Sequence, residues 1–158
     1  MTRTQIISLV ILAAAIPAAT AGSFFAPSSK PCFIAGSSGY LISTDTSANY
    51  TVRVDNAAPH PGLRMQLVDT PANADFVLVD DGEAANACTG AASIKSIRVD
   101  DQARKPDMTV ALSRQPADYK IYVRSAHYSV EDGAALFAAM WQDARQGDPN
   151  LRVANRTE

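Results

Sequence analysis

The stretch SVEDGAALFAAMWQDARQG, residues 129–147, carries the clearest periodic signal in the chain. Its large apolar side chains recur at the spacing that places them on one face of a helix; the set is Leu136, Phe137, Met140, Trp141 and Ala144. The serine at its start and the glycine at its end are typical helix boundaries, and two early acidic residues favour the positive end of the helix dipole. The pattern predicts an amphipathic helix over Val130–Gln146 whose apolar stripe packs on a sheet.

The segments before this helix mostly alternate apolar and polar residues, which is the period of a half-buried strand. Strands are predicted at residues 32–35, 40–42, 50–54, 76–79, 94–99, 108–112 and 119–123. The run Phe76–Val79 is apolar throughout, which favours a strand buried on both faces. Short turns separate the last three strands, so their pattern favours an antiparallel meander.

Residues 63–69 fit two interpretations. Leu63, Met65 and Leu67 alternate with polar residues as in a strand, yet they are not β-branched and their neighbours are good helix formers. We favour a short helix, which would make residues 50–80 a β-α-β unit. With no visible internal repeat, residues 32–147 are predicted to form a single α+β domain: a mostly antiparallel sheet of four to six strands, with the C-terminal helix on one face.

The first 21 residues have the three parts of a cleavable secretory signal peptide. Arg3 gives a basic start, residues 6–16 are almost entirely apolar, and Ala19-Thr20-Ala21 supplies small residues at the cleavage site. A retained membrane anchor is the alternative, but a spanning helix needs about 20 apolar residues and this run is shorter. We therefore expect the mature protein to begin at Gly22.

Export would place the mature chain in a bacterial periplasm or in the medium. Bacterial origin is a compositional inference, since Arg outnumbers Lys ten to four and alanine is abundant. Residues 22–31 are rich in small residues and contain two prolines, so we expect a flexible leader there and a flexible tail over 148–158.

The charge balance excludes some classes of partner. Without Arg3, the mature chain has 13 basic and 16 acidic residues, a net charge of −3. Nucleic-acid binding requires clustered positive charge, so a nucleic-acid partner is not expected. No second apolar segment of spanning length follows the cleavage site, so we expect no membrane span after signal cleavage.

Cys32 and Cys88 are the two cysteines of the chain. Export delivers them to an oxidising compartment, so we predict a disulfide between them. It would close a loop of about 57 residues and stabilise the fold by on the order of 4 kcal/mol in the chain-entropy model. The alternatives are two buried free thiols or a redox pair, although the C-x-x-C motif of such a pair is absent.

His60 and His127 are the two candidate bases. His60 lies between two prolines, and His127 lies between the last predicted strand and the helix. Either histidine could work with a carboxylate such as Asp80 or Asp81, although solvation or a backbone hydrogen bond explains both more simply. The sequence Gly36-Ser37-Ser38-Gly39 departs from the G-x-S-x-G nucleophile motif and is interpreted as a surface turn. No catalytic residue is therefore assigned.

Two acidic clusters, Asp80-Asp81-Gly82-Glu83 and Asp100-Asp101, follow predicted strands. Carboxylates at strand ends can bind Ca²⁺ or Mg²⁺, but neither cluster follows the pattern of a calcium-binding loop. Two isolated histidines do not have the spacing of a zinc site. We therefore predict neither a metal nor a cofactor.

These observations favour an exported small soluble protein of the cell envelope that is not an enzyme and that binds or supports an envelope partner. One alternative is a small exported enzyme that uses His127 or His60 with a carboxylate. Another is a secreted module that binds a small ligand in a pocket under the helix. The oligomeric state has no sequence signal.

Overall fold

The computed structural model describes residues 30–80 and 88–147. The predicted signal peptide and tail lie outside the described residues, as do most of the predicted leader and Asp81. The described residues form eight strands, one short 3-10 turn and one α-helix. The strands are β1 (Phe33–Ala35), β2 (Ser38–Ile42), β3 (Tyr50–Val54), β4 (Leu63–Leu67), β5 (Phe76–Asp80), β6 (Ser93–Val99), β7 (Met108–Ser113) and β8 (Tyr119–Ser125). The 3-10 turn is Pro71–Asn73, and the helix is α1 (Val130–Arg145).

The predicted helix over residues 63–69 is wrong, because Leu63–Leu67 is strand β4. Leu63 and Met65 are buried and Arg64 between them is exposed, so burial follows the period of a strand. Pairing with two neighbouring strands outweighs the helix propensity of these residues. The predicted β-α-β unit is therefore wrong as well.

The prediction of a mostly antiparallel sheet of four to six strands is also wrong. The eight strands form one mixed sheet in the order β1-β2-β6-β3-β7-β4-β8-β5, which curls into a half-barrel. β1 pairs with β2 in antiparallel fashion. Each of the other neighbouring pairs is parallel, including those between the strands that were expected to form a meander.

A stepwise stagger explains how parallel strands are joined by short connections. Val54 at the end of β3 and Leu63 at the start of β4 both lie beside Val110 of β7. The connection from β3 to β4 therefore only crosses from one side of β7 to the other. It does not have to run back along the full length of a strand. A parallel crossover normally needs about a dozen residues, whereas the connection between β7 and β8 runs only from 114 to 118.

The same arrangement occurs at five connections, here called steps. In each step, two strands that follow one another in sequence flank a third strand, and one residue of that third strand lies beside both of them. The middle residues are Ile97, Val110, Ile121, Val52 and Met65. All five are at most 1 % exposed, so the steps lie at the centre of the core. The run β2 to β5 thus interleaves with the run β6 to β8 in the sheet.

Helix α1 begins as the sequence predicts. Ser129 is the N-cap: its side chain accepts the backbone N–H of Asp132, whose carboxylate accepts the backbone N–H of Ser129 in return. Residues 133–139 are all buried, so this half of the helix is enclosed on all sides and not along one stripe. Small residues allow that enclosure, since a Cβ at Gly133 would lie 2.6 Å from Cγ2 of Val123.

Cys32 and Cys88 form the predicted disulfide, with their Cα atoms 5.3 Å apart. The two sulfur atoms pack on β2 at Gly39, where a Cβ would lie 2.8 Å from Sγ of Cys88. In the described part of the chain, no helix has the length and apolar character needed to cross a membrane.

Candidate functional site

The carboxyl ends of β5 and β8 bring together the strongest cluster of reactive side chains. Asp80 is the last residue of β5, Ser125 is the last residue of β8, and the parallel register places them side by side. His127 follows two residues later, in the turn that leads into α1. Adjacency of two strands that are distant in sequence therefore builds the cluster.

Asp80 orients the imidazole of His127. One carboxylate oxygen of Asp80 lies 2.5 Å from Nδ1 of His127 and accepts a 3.0 Å hydrogen bond from the hydroxyl of Ser125. The same hydroxyl oxygen accepts the backbone N–H groups of His127 and Tyr128, at 3.0 and 2.9 Å, which fixes the turn. A carboxylate on Nδ1 leaves Nε2 of the imidazole as the proton-accepting position, as general-base catalysis requires.

The two neighbouring side chains differ in exposure and in chemistry. The His127 side chain is 35 % exposed. Tyr128 is buried, and its hydroxyl donates a hydrogen bond to the backbone carbonyl of Pro31. Burial, followed by the negative charges of Asp80 and Asp132, raises the pKa of Tyr128 to about 12. Tyr128 is therefore a hydrogen-bond donor at neutral pH and not a base.

A second polar cluster lies under the carboxyl-terminal half of α1. The carboxylate of Asp143 is buried and accepts hydrogen bonds from the hydroxyls of Tyr40, at 2.6 Å, and Tyr50. Nζ of Lys95 lies 2.8 Å from the same carboxylate. Each partner is on a different strand, so this cluster ties the helix to β2, β3 and β6. Sequence reasoning missed it, because an acidic residue late in a helix has no local signal of burial.

The other predicted candidates do not join either cluster. His60 is exposed between β3 and β4, and its side chain has no polar contact within the described ranges. Asp100 pairs with Arg98 at 3.1 Å and accepts the backbone N–H of Gln102, so it stabilises a turn. Across residues 30–80 and 88–147, no three metal-ligating side chains are grouped.

The interpretation of residues 36–39 as a surface turn is only partly right. Gly36, with φ of 60°, and Ser37 form the turn. Ser38 is already in β2, is fully buried, and has its hydroxyl 3.1 Å from that of Ser93. Ser38 is therefore enclosed in the core, whereas Ser93 beside it is exposed.

The outer face of the sheet exposes apolar side chains near its two edges. Val77 and Val79 of β5 are 43 % and 44 % exposed and point away from the helix, since Phe76 and Leu78 between them are buried. At the other edge Ile34 and Ile94 are exposed. β5 is the last strand of the sheet, so its valines lie beside an edge that pairs with no described strand.

Comparison with known proteins adds no assignment to this picture. No protein-family model matches the chain, and no curated protein matches it by sequence. The fold and clusters define a disulfide-bonded α+β protein with a curled, mostly parallel sheet around one helix.

Proposed function

We propose that this chain is an exported protein of the cell envelope that binds or supports a partner protein. The signal-peptide pattern of residues 1–21 and the Cys32–Cys88 disulfide support export to an oxidising compartment. N-terminal sequencing of the exported protein should give Gly22 as the first residue. A protein that keeps Met1 would contradict export by cleavage.

The observation that carries partner binding is the pair of exposed valines on β5. Exposed apolar side chains that adjoin a sheet edge are a common feature of interaction surfaces, because the edge also offers unpaired backbone groups. Val77 and Val79 share one face with Tyr122 of β8, which pairs directly with Val77. The proposed surface therefore consists of Val77, Val79 and Tyr122.

Affinity capture from the envelope fraction of the source organism tests this surface. The mature protein is compared with the Val77→Ser/Val79→Ser variant and with an outer-face control, Arg64→Ser/Gln66→Ser on β4. We expect one protein to be captured by the wild type and the control, with recovery at least about tenfold lower for the valine variant. Equal recovery of every captured protein by all three baits would contradict the proposal.

The contact between Asp80 and His127 favours a second candidate function, a small exported enzyme. In this proposal Asp80 holds Nδ1 of His127, and Nε2 takes a proton from water or from a substrate hydroxyl. Of the two histidines, His127 has the carboxylate partner that a base needs, whereas His60 is separate from it.

Hydrolysis of activated esters and phosphodiesters tests the second candidate. His127→Ala and Asp80→Asn should each lower the rate by about 10²-fold or more, the typical contribution of a general base. His60→Ala is the matched control and should leave the rate unchanged. A rate that survives loss of His127, or no hydrolysis by the wild type, would argue against the enzyme.

A further inference from the structure

Residues 30–33, hereafter the strap, connect the two edges of the half-barrel. Phe33 begins β1, which pairs with β2 at one edge of the sheet. Its ring also packs edge-on against the ring of Phe76, in β5 at the opposite edge, with centroids 5.8 Å apart. The strap therefore spans a seam where no described strands pair.

Two polar contacts fasten the strap to the start of α1. Nζ of Lys30 forms an ion pair with the buried carboxylate of Asp132. The carbonyl of Pro31 accepts the hydrogen bond from Tyr128. The strap thus contacts the buried side chains of Tyr128 and Asp132 at the start of α1.

The disulfide is the strap's one covalent attachment apart from the chain itself. It joins Cys32, in the middle of the strap, to Cys88 in the segment between β5 and β6, and both cysteines are only partly buried. Within the described residues, the other contacts of the strap are one ion pair with a lysine that is 35 % exposed, one hydrogen bond, one ring contact and the pairing of Phe33 with Tyr40 of β2. Such contacts are individually weak, so the strap depends on the disulfide more than the rest of the fold does.

The centre of the fold is held by other residues. The five middle residues of the steps have no register pairing with the strap, whose pairing within the sheet is that of Phe33 with Tyr40 of β2. No strap residue pairs with β3, β4, β6 or β7.

We propose that the strap is a redox-operated latch. A dithiol reductant transfers two electrons and two protons: its own sulfurs form a disulfide, and Cys32 and Cys88 become thiols. The strap then leaves β5 and the start of α1, which uncovers Phe76 and Tyr128, while the central strands stay folded. The latch goes beyond the proposed partner or enzyme function and rests on neither.

Hydrogen exchange of the purified exported protein, with and without a dithiol, tests the latch. The backbone N–H groups of Val77, Val79 and Tyr128 should exchange about tenfold faster after reduction, whereas those of Val52 and Val110 should change less than about twofold. The Cys32→Ser/Cys88→Ser variant should reproduce the reduced pattern. Lys30→Ala with the disulfide intact is the matched control and should retain slow exchange at Val77 and Val79.

Three results would overturn the proposal. No change on reduction would show that the weak contacts hold the strap alone. Faster exchange at Val52 and Val110 to the same degree as at Val77 would show that the disulfide stabilises the whole fold and does not act on the strap alone. Fast exchange at Val77 and Val79 in the oxidised Lys30→Ala protein would show that the ion pair, and not the disulfide, holds the strap in place.

Discussion

The hydroxyl of Tyr40 donates a 2.6 Å hydrogen bond to the carboxylate of Asp143, although 103 residues separate them. Tyr40 is fully buried in β2 and Asp143 is buried in α1. Lys95 and Tyr50 complete the cluster from two further strands. A charge buried in this way is stabilised by its partners, and removal of one member of such a cluster is strongly destabilising.

Asp143→Ala should therefore destabilise the protein by about 3–5 kcal/mol, because it removes the buried carboxylate that the Lys95 ammonium and two tyrosine hydroxyls contact. The free energy of unfolding in urea measures this cost. Gln142→Ala on the adjacent, partly exposed position is the control and should change stability by about 0.5 kcal/mol or less. A cost for Asp143→Ala that equals the control would show that the cluster contributes nothing.

Gly133→Ala should destabilise the protein by about 1–3 kcal/mol. Helix propensity alone predicts the opposite, a gain of up to about 1 kcal/mol. The new Cβ would lie 2.6 Å from Cγ2 of Val123, which is closer than carbon atoms can approach. Urea unfolding of the single variants and of Gly133→Ala/Val123→Ala measures the coupling. The double variant should cost less than the sum of the two single variants; strict additivity would show that the contact with Val123 is not the cause.

Local sequence pattern located most strands but could not pair them. Phe76–Asp80 and Tyr119–Ser125 are recognisable strands from their composition and alternation. Their parallel pairing depends on the stagger of Leu67 and Phe76 beside Ile121, which is a relation between three distant segments. A short connection that contains a turn looks like a hairpin in sequence, and this similarity produced the wrong antiparallel sheet.

The candidate site was also only partly predictable, because it depends on which strands are neighbours in the sheet. His127, His60 and Asp80 are all recognisable as candidates from the sequence, and the pairing of β5 with β8 is what brings His127 and Asp80 together. The Asp143 cluster had no sequence signal, because its partners lie on three separate strands. The disulfide was predictable, because the signal-peptide pattern predicts an oxidising compartment and two cysteines leave one possible pair.

Phe137→Ala should destabilise the protein by about 3–5 kcal/mol. Phe137 is buried, with its ring centroid 5.6 Å from that of Phe76 and 5.0 Å from that of Tyr119. Tyr119 also accepts a 2.8 Å hydrogen bond from Nε1 of Trp141, the single tryptophan. Trp141 emission in the native wild type should be blue-shifted and should move red on unfolding. Emission of a fully solvated indole in the native protein would contradict this packing.

Tyr128 should make stability depend on alkaline pH. Its pKa is raised to about 12 in the folded protein, against 10.0 for an ordinary tyrosine. The unfolded chain therefore releases this proton first, so the stabilisation is complete below pH 10 and is lost as pH rises from 10 towards 12. Tyr128→Phe should abolish this loss of unfolding free energy between pH 10 and 12. Below pH 10 it should cost about 1 kcal/mol for the lost hydrogen bond to Pro31. Urea unfolding between pH 8 and 12 measures both effects, with Tyr122→Phe on the outer face as the control that should retain the slope. If Tyr128→Phe and the wild type lose stability in parallel over this range, Tyr128 is not the group responsible.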